Sequence, residues 1–68
     1  MKLKDLKDIL IESVLLLEYD DNTNDFNEVY KTKTFDIEDV LEYQEKTVVY
    51  IYTAKNEDRD YYTVVTIE

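Results

Sequence analysis

The sequence predicts a single α+β domain spanning residues 1–68, a four-stranded antiparallel sheet with two short helices on one face. Three observations lead to this fold class. Apolar residues recur at helical spacing in two short segments. Four other segments have the alternating or continuous apolar pattern of strands, and loops rich in Asn and Asp separate them. The predicted order is α-β-β-α-β-β, and helices gathered on one face of the sheet are its simplest packing.

The first helix is predicted over residues 2–12, followed at once by the first strand over residues 14–19. The apolar face of this helix is formed by Leu3, Leu6, Ile9 and Leu10. The strand is almost continuously apolar, which is typical of a strand buried on both faces near the centre of a sheet. A polar loop over residues 20–25 and an alternating strand over residues 26–33 complete a hairpin.

The second half of the chain repeats this order with a second helix and a second hairpin. Asp36 is predicted to cap the helix, with Asp39 three residues later in a capping-box-like position. The strands are predicted over residues 47–54 and 61–67, joined by the charged loop 55–60. Since the chain has no Gly and no Pro, its reversals are expected to use Asn, Asp, Ser or Thr.

Alternation within the last hairpin separates a core face from an outward face. The predicted core comprises Leu6, Ile9, Leu10, Leu16, Val40, Leu41, Val49, Ile51, Val65 and Ile67. The predicted outward face comprises Tyr50, Tyr52, Tyr62, Val64 and Thr66. Three tyrosines and a valine on neighbouring strands form an apolar surface of the kind that marks interaction sites.

Composition argues against catalysis and against bound cofactors. The chain has no His, no Cys and a single serine, Ser13, so no nucleophile can have an imidazole base beside it. Without glycine, neither a P-loop nor a dinucleotide-binding loop can be built. The spacing of Asp20, Asn22 and Asn24 resembles the start of a calcium loop, but the positions that need Gly and Glu hold Asp25 and Lys31. We therefore expect a non-enzymatic protein with no cofactor and no metal.

Charge is the most informative feature for function. There are 17 Asp and Glu against 8 Lys and Arg, a net charge of -9. Residues 8–30 and 36–45 contain acids and no base. Such a surface attracts basic partners at long range and opposes direct binding of nucleic acid. The predicted partner-binding residues are Asp20, Asp21, Asp25, Glu38, Asp39, Glu42, Glu45, Glu57, Asp58, Tyr50, Tyr52 and Tyr62.

In style the whole chain resembles the small acidic proteins encoded by phages and mobile elements of low-GC bacteria. The resemblance lies in the opening Met1-Lys2-Leu3-Lys4-Asp5-Leu6, in Tyr19-Asp20-Asp21-Asn22 after an apolar strand, and in the closing residues 62–68. Some of those proteins are anti-CRISPR or anti-restriction inhibitors that occupy nucleic-acid channels. The resemblance implies a DNA-mimicking inhibitor that binds a nucleic-acid-handling host protein, and it assigns no individual residue.

Two other functions fit the same residues. The chain could be a structural or assembly module that associates through its tyrosine-rich face, as a homodimer or on a target. It could also be an accessory protein that binds a polymerase or a repressor. A cytoplasmic location is expected, because small secreted domains usually rely on disulfides and no stretch is apolar enough to span a membrane.

Overall fold

The structure, a computed structural model, describes residues 1–9 and 12–68 as one four-stranded sheet with two short 3-10 helices. The strands are β1 (Val14–Asp20), β2 (Asp25–Thr32), β3 (Val48–Lys55) and β4 (Tyr61–Ile67). The helices are η1 (Leu3–Leu6) and η2 (Ile37–Tyr43). All four predicted strands are therefore present, each within one residue of its predicted bounds.

The sheet is mixed, so the prediction of a purely antiparallel sheet is wrong. The strand order is β2-β1-β4-β3, and both hairpins are antiparallel as predicted. The two central strands, β1 and β4, run parallel. The segment between β2 and β3 carries the chain from one edge of the sheet to the other. The first and last strands therefore meet in the middle with the same direction, an arrangement that local periodicity does not encode.

The helical segments are shorter and tighter than the predicted α-helices. In the described part of the helix predicted over residues 2–12, η1 has four residues, and its backbone forms hydrogen bonds with another part of the chain. Residues 10 and 11 of that prediction lie outside the described residues. The Leu3 N–H donates to the Lys46 carbonyl at 3.0 Å, and the Lys4 N–H donates to the Gln44 carbonyl at 3.0 Å. Short helices are marginal on their own, so such tertiary bonds decide their geometry.

The second segment, η2, begins at the predicted cap and bends in the middle. The Asp36 side chain accepts a hydrogen bond from the Glu38 N–H at 3.0 Å, which confirms the cap. Val40 has φ -132° and ψ 34°, outside the helical region, so η2 consists of two short turns joined at a kink. The kink lets Val40 enter the core at 2% exposure. The predicted α-helical row of carboxylates over residues 38–45 is therefore not formed.

The core lies between the two 3-10 helices and one face of the sheet. Its buried members are Leu3, Leu6, Val14, Leu16, Phe35, Val40, Val65 and Ile67. Of the predicted core, Leu6, Leu16, Val40, Val65 and Ile67 are confirmed. Ile9, Leu41, Val49 and Ile51 are exposed, so their predicted burial is wrong. Leu10 lies outside the described residues.

Ile51 shows why part of the core prediction fails. The register pairs it with Val65, which places it on the core face as its alternation indicates. It is nevertheless 46% exposed. A four-residue and a seven-residue helix cover less of the sheet than two full α-helices would, so this edge of the core face stays open.

Candidate functional site

Three acids of η2 lie on the outer surface of this segment, which itself packs over the core. Glu38, Asp39 and Glu42 are exposed, while Ile37, Val40 and Tyr43 of the same segment pack toward the sheet. The last turn of η2 carries no base. We call Glu38, Asp39 and Glu42 the η2 acids. They present negative charge on the helical side of the fold, as the sequence predicts, although on a kinked 3-10 segment.

One of the η2 acids also has a structural contact. The Tyr30 hydroxyl on β2 donates a hydrogen bond to Asp39 at 2.7 Å, which joins η2 to the edge of the sheet. This bond to the carboxylate raises the pKa of the Tyr30 phenol. Asp39 is therefore less suitable for charge reversal than Glu38 and Glu42, since its replacement removes a tertiary hydrogen bond as well as a charge.

Glu45 follows η2 and is engaged within the chain. Its carboxylate accepts hydrogen bonds from Lys2 at 2.7 Å and from Lys4 at 2.8 Å, two ion pairs at the surface. These two bonds lower the pKa of the Glu45 carboxyl from 4.5 to about 2. The same pairing raises the pKa of Lys4. A partner that used Glu45 would have to compete with both lysines.

The acidic loops lie at opposite ends of the sheet. Asp20 pairs with Asp25 across the first turn, at the end where both central strands finish. The loop with Glu57 and Asp58 precedes β4, at the end where both central strands begin. The seven residues of β1 separate these ends by about 20 Å. The sequence could not show this separation, because it depends on the parallel pairing of β1 with β4.

The two acidic loops use some of their side chains to shape their own backbone. Asp20 accepts a bond from the Asn22 N–H at 2.9 Å, and Asp25 accepts one from the Phe26 N–H at 2.7 Å. In the second loop, the Asn56 side chain accepts bonds from the Asp58 N–H at 2.9 Å and the Asp60 N–H at 3.0 Å. Asp21, Glu57 and Asp58 remain exposed.

The tyrosines of the predicted outward face lie on the opposite side of the sheet from the η2 acids. Tyr50 pairs with Thr66 and Tyr52 with Val64, which puts all four on the face away from the core. Tyr50 and Tyr52 are 64% and 51% exposed, whereas Tyr62 is half-buried. Val64 and Thr66 are buried at 2% and 3% exposure, so their predicted exposure on this face is wrong. A single flat partner therefore cannot contact the η2 acids and the tyrosines together.

The register adds further residues to this face, which sequence analysis did not single out. We define the outer face as the twelve residues Leu15, Leu17, Tyr19, Phe26, Glu28, Lys31, Tyr50, Tyr52, Ala54, Tyr62, Val64 and Thr66. Tyr19 and Phe26 pack at 5.3 Å between ring centroids. The outer face has one acid and one base, so it is neutral in a chain of net charge -9. The members of the outer face could not be predicted from the sequence, because they depend on which strands pair and in which register.

A groove of 790 Å³ opens at the end of the sheet where β1 and β4 begin. It is lined by Ser13, Val14, Leu15, Lys31, Thr32, Lys33, Asn56, Asp60, Tyr61 and Tyr62. Among residues 1–9 and 12–68, no three acids are grouped so that they could hold a metal ion. The same residues contain no helix with the length and apolarity to cross a membrane.

Comparison of the chain with protein families, curated proteins and solved structures gives no match to any of them.

Proposed function

We propose that this protein is a non-enzymatic binding protein whose acidic surface occupies a basic surface of a nucleic-acid-handling protein, in the manner of a DNA mimic. One observation supports this most directly. Residues 1–9 and 12–68 include every acid and base of the chain, and only Glu18 and Glu45 among its 17 acids form ion pairs there. The other 15 carboxylates form no ion pair in these residues, although Asp39 and a few others accept a hydrogen bond from a neutral group. Grooves that bind phosphate are lined by Lys and Arg, which would meet carboxylates in the same way.

The η2 acids are the centre of the proposed contact. Glu38 and Glu42 are exposed on a segment that has no base of its own, and Glu45 beside them is occupied by Lys2 and Lys4. The acidic loops would extend the contact from either end of the sheet. Electrostatic recognition of this kind accelerates association and depends on ionic strength.

The test is the double reversal Glu38→Lys and Glu42→Lys, which spares Asp39 and its bond to Tyr30. The partner is first recovered from a host lysate at low salt, identified, and purified. Isothermal titration calorimetry then measures its affinity for the wild type and the variant. We expect the reversal to weaken binding by about tenfold or more at low salt and to flatten the salt dependence.

A charge-matched control is the double reversal Asp21→Lys and Glu57→Lys, which makes the same net change at the two ends of the sheet. It should weaken binding less than the η2 pair does. A 20-base-pair DNA duplex, used as competitor, should displace the wild-type protein from its partner. Binding that survives the η2 reversal and resists displacement by DNA would exclude the proposal.

A second candidate function is assembly through the outer face. It is favoured by the exposure of Tyr50 and Tyr52 on an outer face whose acid and base balance. Tyr52→Ser separates the two functions, because it leaves every acid in place. Binding lost with Tyr52→Ser, kept with the η2 reversal and insensitive to salt would assign the contact to the outer face.

A further inference from the structure

The two edges of the sheet differ in how they are protected. At the β2 edge, charged residues recur along the strand at Asp25, Glu28 and Lys31. At the β3 edge, residues 47–54 contain no charge in a chain that is 37% charged. Natural sheets usually guard their edges with charge, proline or a covering segment, because an open edge pairs with other strands. The β3 edge has no proline, and its one charged residue, Lys55, stands at the last position of the strand.

The backbone of β3 offers unpaired groups to solvent. The Tyr50 N–H donates to the Thr66 hydroxyl at 2.9 Å, and the same hydroxyl donates to the Tyr50 carbonyl at 3.3 Å. Both groups of Tyr50 therefore point toward β4. Since successive residues of a strand point their backbone groups to alternate sides, those of Ile51 and Thr53 point away from β4. Within residues 1–9 and 12–68, neither residue has a backbone bond outside the sheet.

The start of this edge is covered by the chain itself. The Val48 N–H donates to the Met1 carbonyl at 2.8 Å, and Lys2 forms an antiparallel bridge with Thr47. The open part of the edge therefore runs from residue 49 to residue 55. Its side chains at Val49 and Ile51 are also exposed. We call residues 49–55 the open edge.

We propose that a second copy of this chain pairs antiparallel with the open edge, so that two sheets join into one of eight strands. Antiparallel pairing of identical edges is self-complementary about a two-fold axis, the commonest symmetry of homo-oligomers. Two chains of net charge -9 repel each other. The open edge is a surface where this repulsion is small, because Lys55 is its one charged residue. A strand of another protein would lack this built-in match.

Charge also fits at the two ends of the proposed seam. Antiparallel pairing brings the end of β3 in one protomer to the start of β3 in the other. The loop containing Glu57 and Asp58 then approaches the segment that covers the partner's Thr47. That segment carries the partner's Lys2 and the partner's Lys4, which share a single carboxylate, the partner's Glu45, and so keep one positive charge in excess. A loop with three acids and two bases thus meets two lysines that share one carboxylate, and this contact occurs twice, once on each side of the axis.

The two-fold axis would be perpendicular to the sheet, so the same face of each protomer would lie on the same side of the joined sheet. Both sets of η2 acids would then lie on one side of the eight-stranded sheet, and both outer faces on the other. The pairing itself does not depend on the proposed function, since it uses neither the η2 acids nor a target.

Thr53→Pro is the direct test. Proline removes the outward N–H of Thr53 while the bonds between β3 and β4 remain, and proline is tolerated at an edge in this orientation. We expect sedimentation equilibrium to show a concentration-dependent dimer for the wild type and for Thr53→Ser. Thr53→Pro should weaken the dimer by about tenfold or more, because each protomer loses a hydrogen-bond donor at the seam.

A second variant and a direct contact measurement guard against misfolding of Thr53→Pro. Ile51→Lys places a charge on the open edge at an already exposed position and should also favour the monomer. In a mixed sample of isotope-labelled and unlabelled protein, nuclear Overhauser effects between α-protons of the two β3 strands should appear. Circular dichroism checks that each variant keeps its strands.

Two results would overturn the pairing. One is a wild-type protein that stays monomeric at about 1 mM, a concentration at which even weak specific contacts form. The other is a dimer that survives Thr53→Pro and Ile51→Lys but is lost with Tyr62→Thr. Tyr62 lies on the outer face of β4, away from the seam, so that result would assign the dimer to packing of outer faces.

Discussion

Two residues with positive φ close the hairpins of this glycine-free chain. Asn24 has φ 55° in the first loop, and Arg59 has φ 66° in the second. Asn tolerates the left-handed region well, whereas for a long side chain such as Arg it costs about 1 kcal/mol. The expectation that Asn, Asp, Ser and Thr make the reversals is correct at Asn24 and wrong at Arg59. The Asn56 carboxamide, which accepts two backbone N–H groups, supports the second loop in compensation.

Arg59→Asn should therefore stabilise the protein. We expect the free energy of unfolding to rise by about 0.5–1 kcal/mol, because Asn relieves the cost of the left-handed conformation. Urea unfolding followed by circular dichroism measures the change. Arg59→Ala is the control, since it removes the same charge and keeps a residue that disfavours positive φ. An equal gain in Arg59→Ala would attribute the effect to charge and not to backbone conformation.

The sequence predicts the strands of this fold much better than its helices. Strand alternation is a local pattern, so the predicted bounds of β4 agree with the structure. The predicted bounds of the other three strands differ from the observed ones by no more than one residue at either end. Helix type depends on distant contacts, such as the bond from the Leu3 N–H to the Lys46 carbonyl. Strand order depends on the path of the chain between the two hairpins, and the periodicity of apolar residues does not encode that path. Helix type and strand order therefore cannot be predicted from local sequence patterns.

The bulge in β3 shows how one side chain can maintain an element. The register shifts between Val48 and Tyr50, and the Thr66 hydroxyl bonds both backbone groups of Tyr50. Thr66 is 3% exposed, so water cannot easily replace it. Thr66→Val keeps the shape and removes the hydroxyl, and we expect a loss of about 1–2 kcal/mol in urea unfolding.

Thr63→Val on the same strand is the matched control for this prediction. Within the part of the chain that the structure describes, the Thr63 hydroxyl forms no hydrogen bond, so its removal should change stability by less than about 0.5 kcal/mol. Equal losses in the two variants would mean that the bulge does not rely on Thr66.

The fold distributes charge over the molecule in a way that the sequence could not show. The sequence identifies the acids and the tyrosines as candidate contacts. Only the packing of Val40 and Tyr43 against the sheet shows that the η2 acids and the tyrosines face opposite directions. The two acidic loops are likewise separated by the parallel pairing of the central strands. The topology of the sheet therefore determines which acids could contact the same partner.

The net charge also predicts how stability depends on pH. At low salt, repulsion among the carboxylates should make the protein less stable at pH 8 than near pH 5, where part of the negative charge is neutralised. Thermal melts in 10 mM and 500 mM NaCl measure this difference, which should shrink in the higher salt because exposed charges are screened. A flat profile from pH 8 to pH 5 at low salt would show that the acids are too far apart to repel.

Below pH 5 the trend should reverse because of Glu45. Its pKa is lowered to about 2 in the folded protein, so its pairing with Lys2 and Lys4 stabilises the fold fully above pH 4.5. That contribution is lost as the pH falls toward about 2 and the carboxyl takes up its proton. We therefore expect a maximum of thermal stability near pH 5 in the wild type. In Glu45→Gln, the decrease in stability below pH 4.5 should be smaller, because the group that titrates is gone. If thermal stability below pH 4.5 decreases as much in this variant as in the wild type, the loss is due to other carboxyl groups.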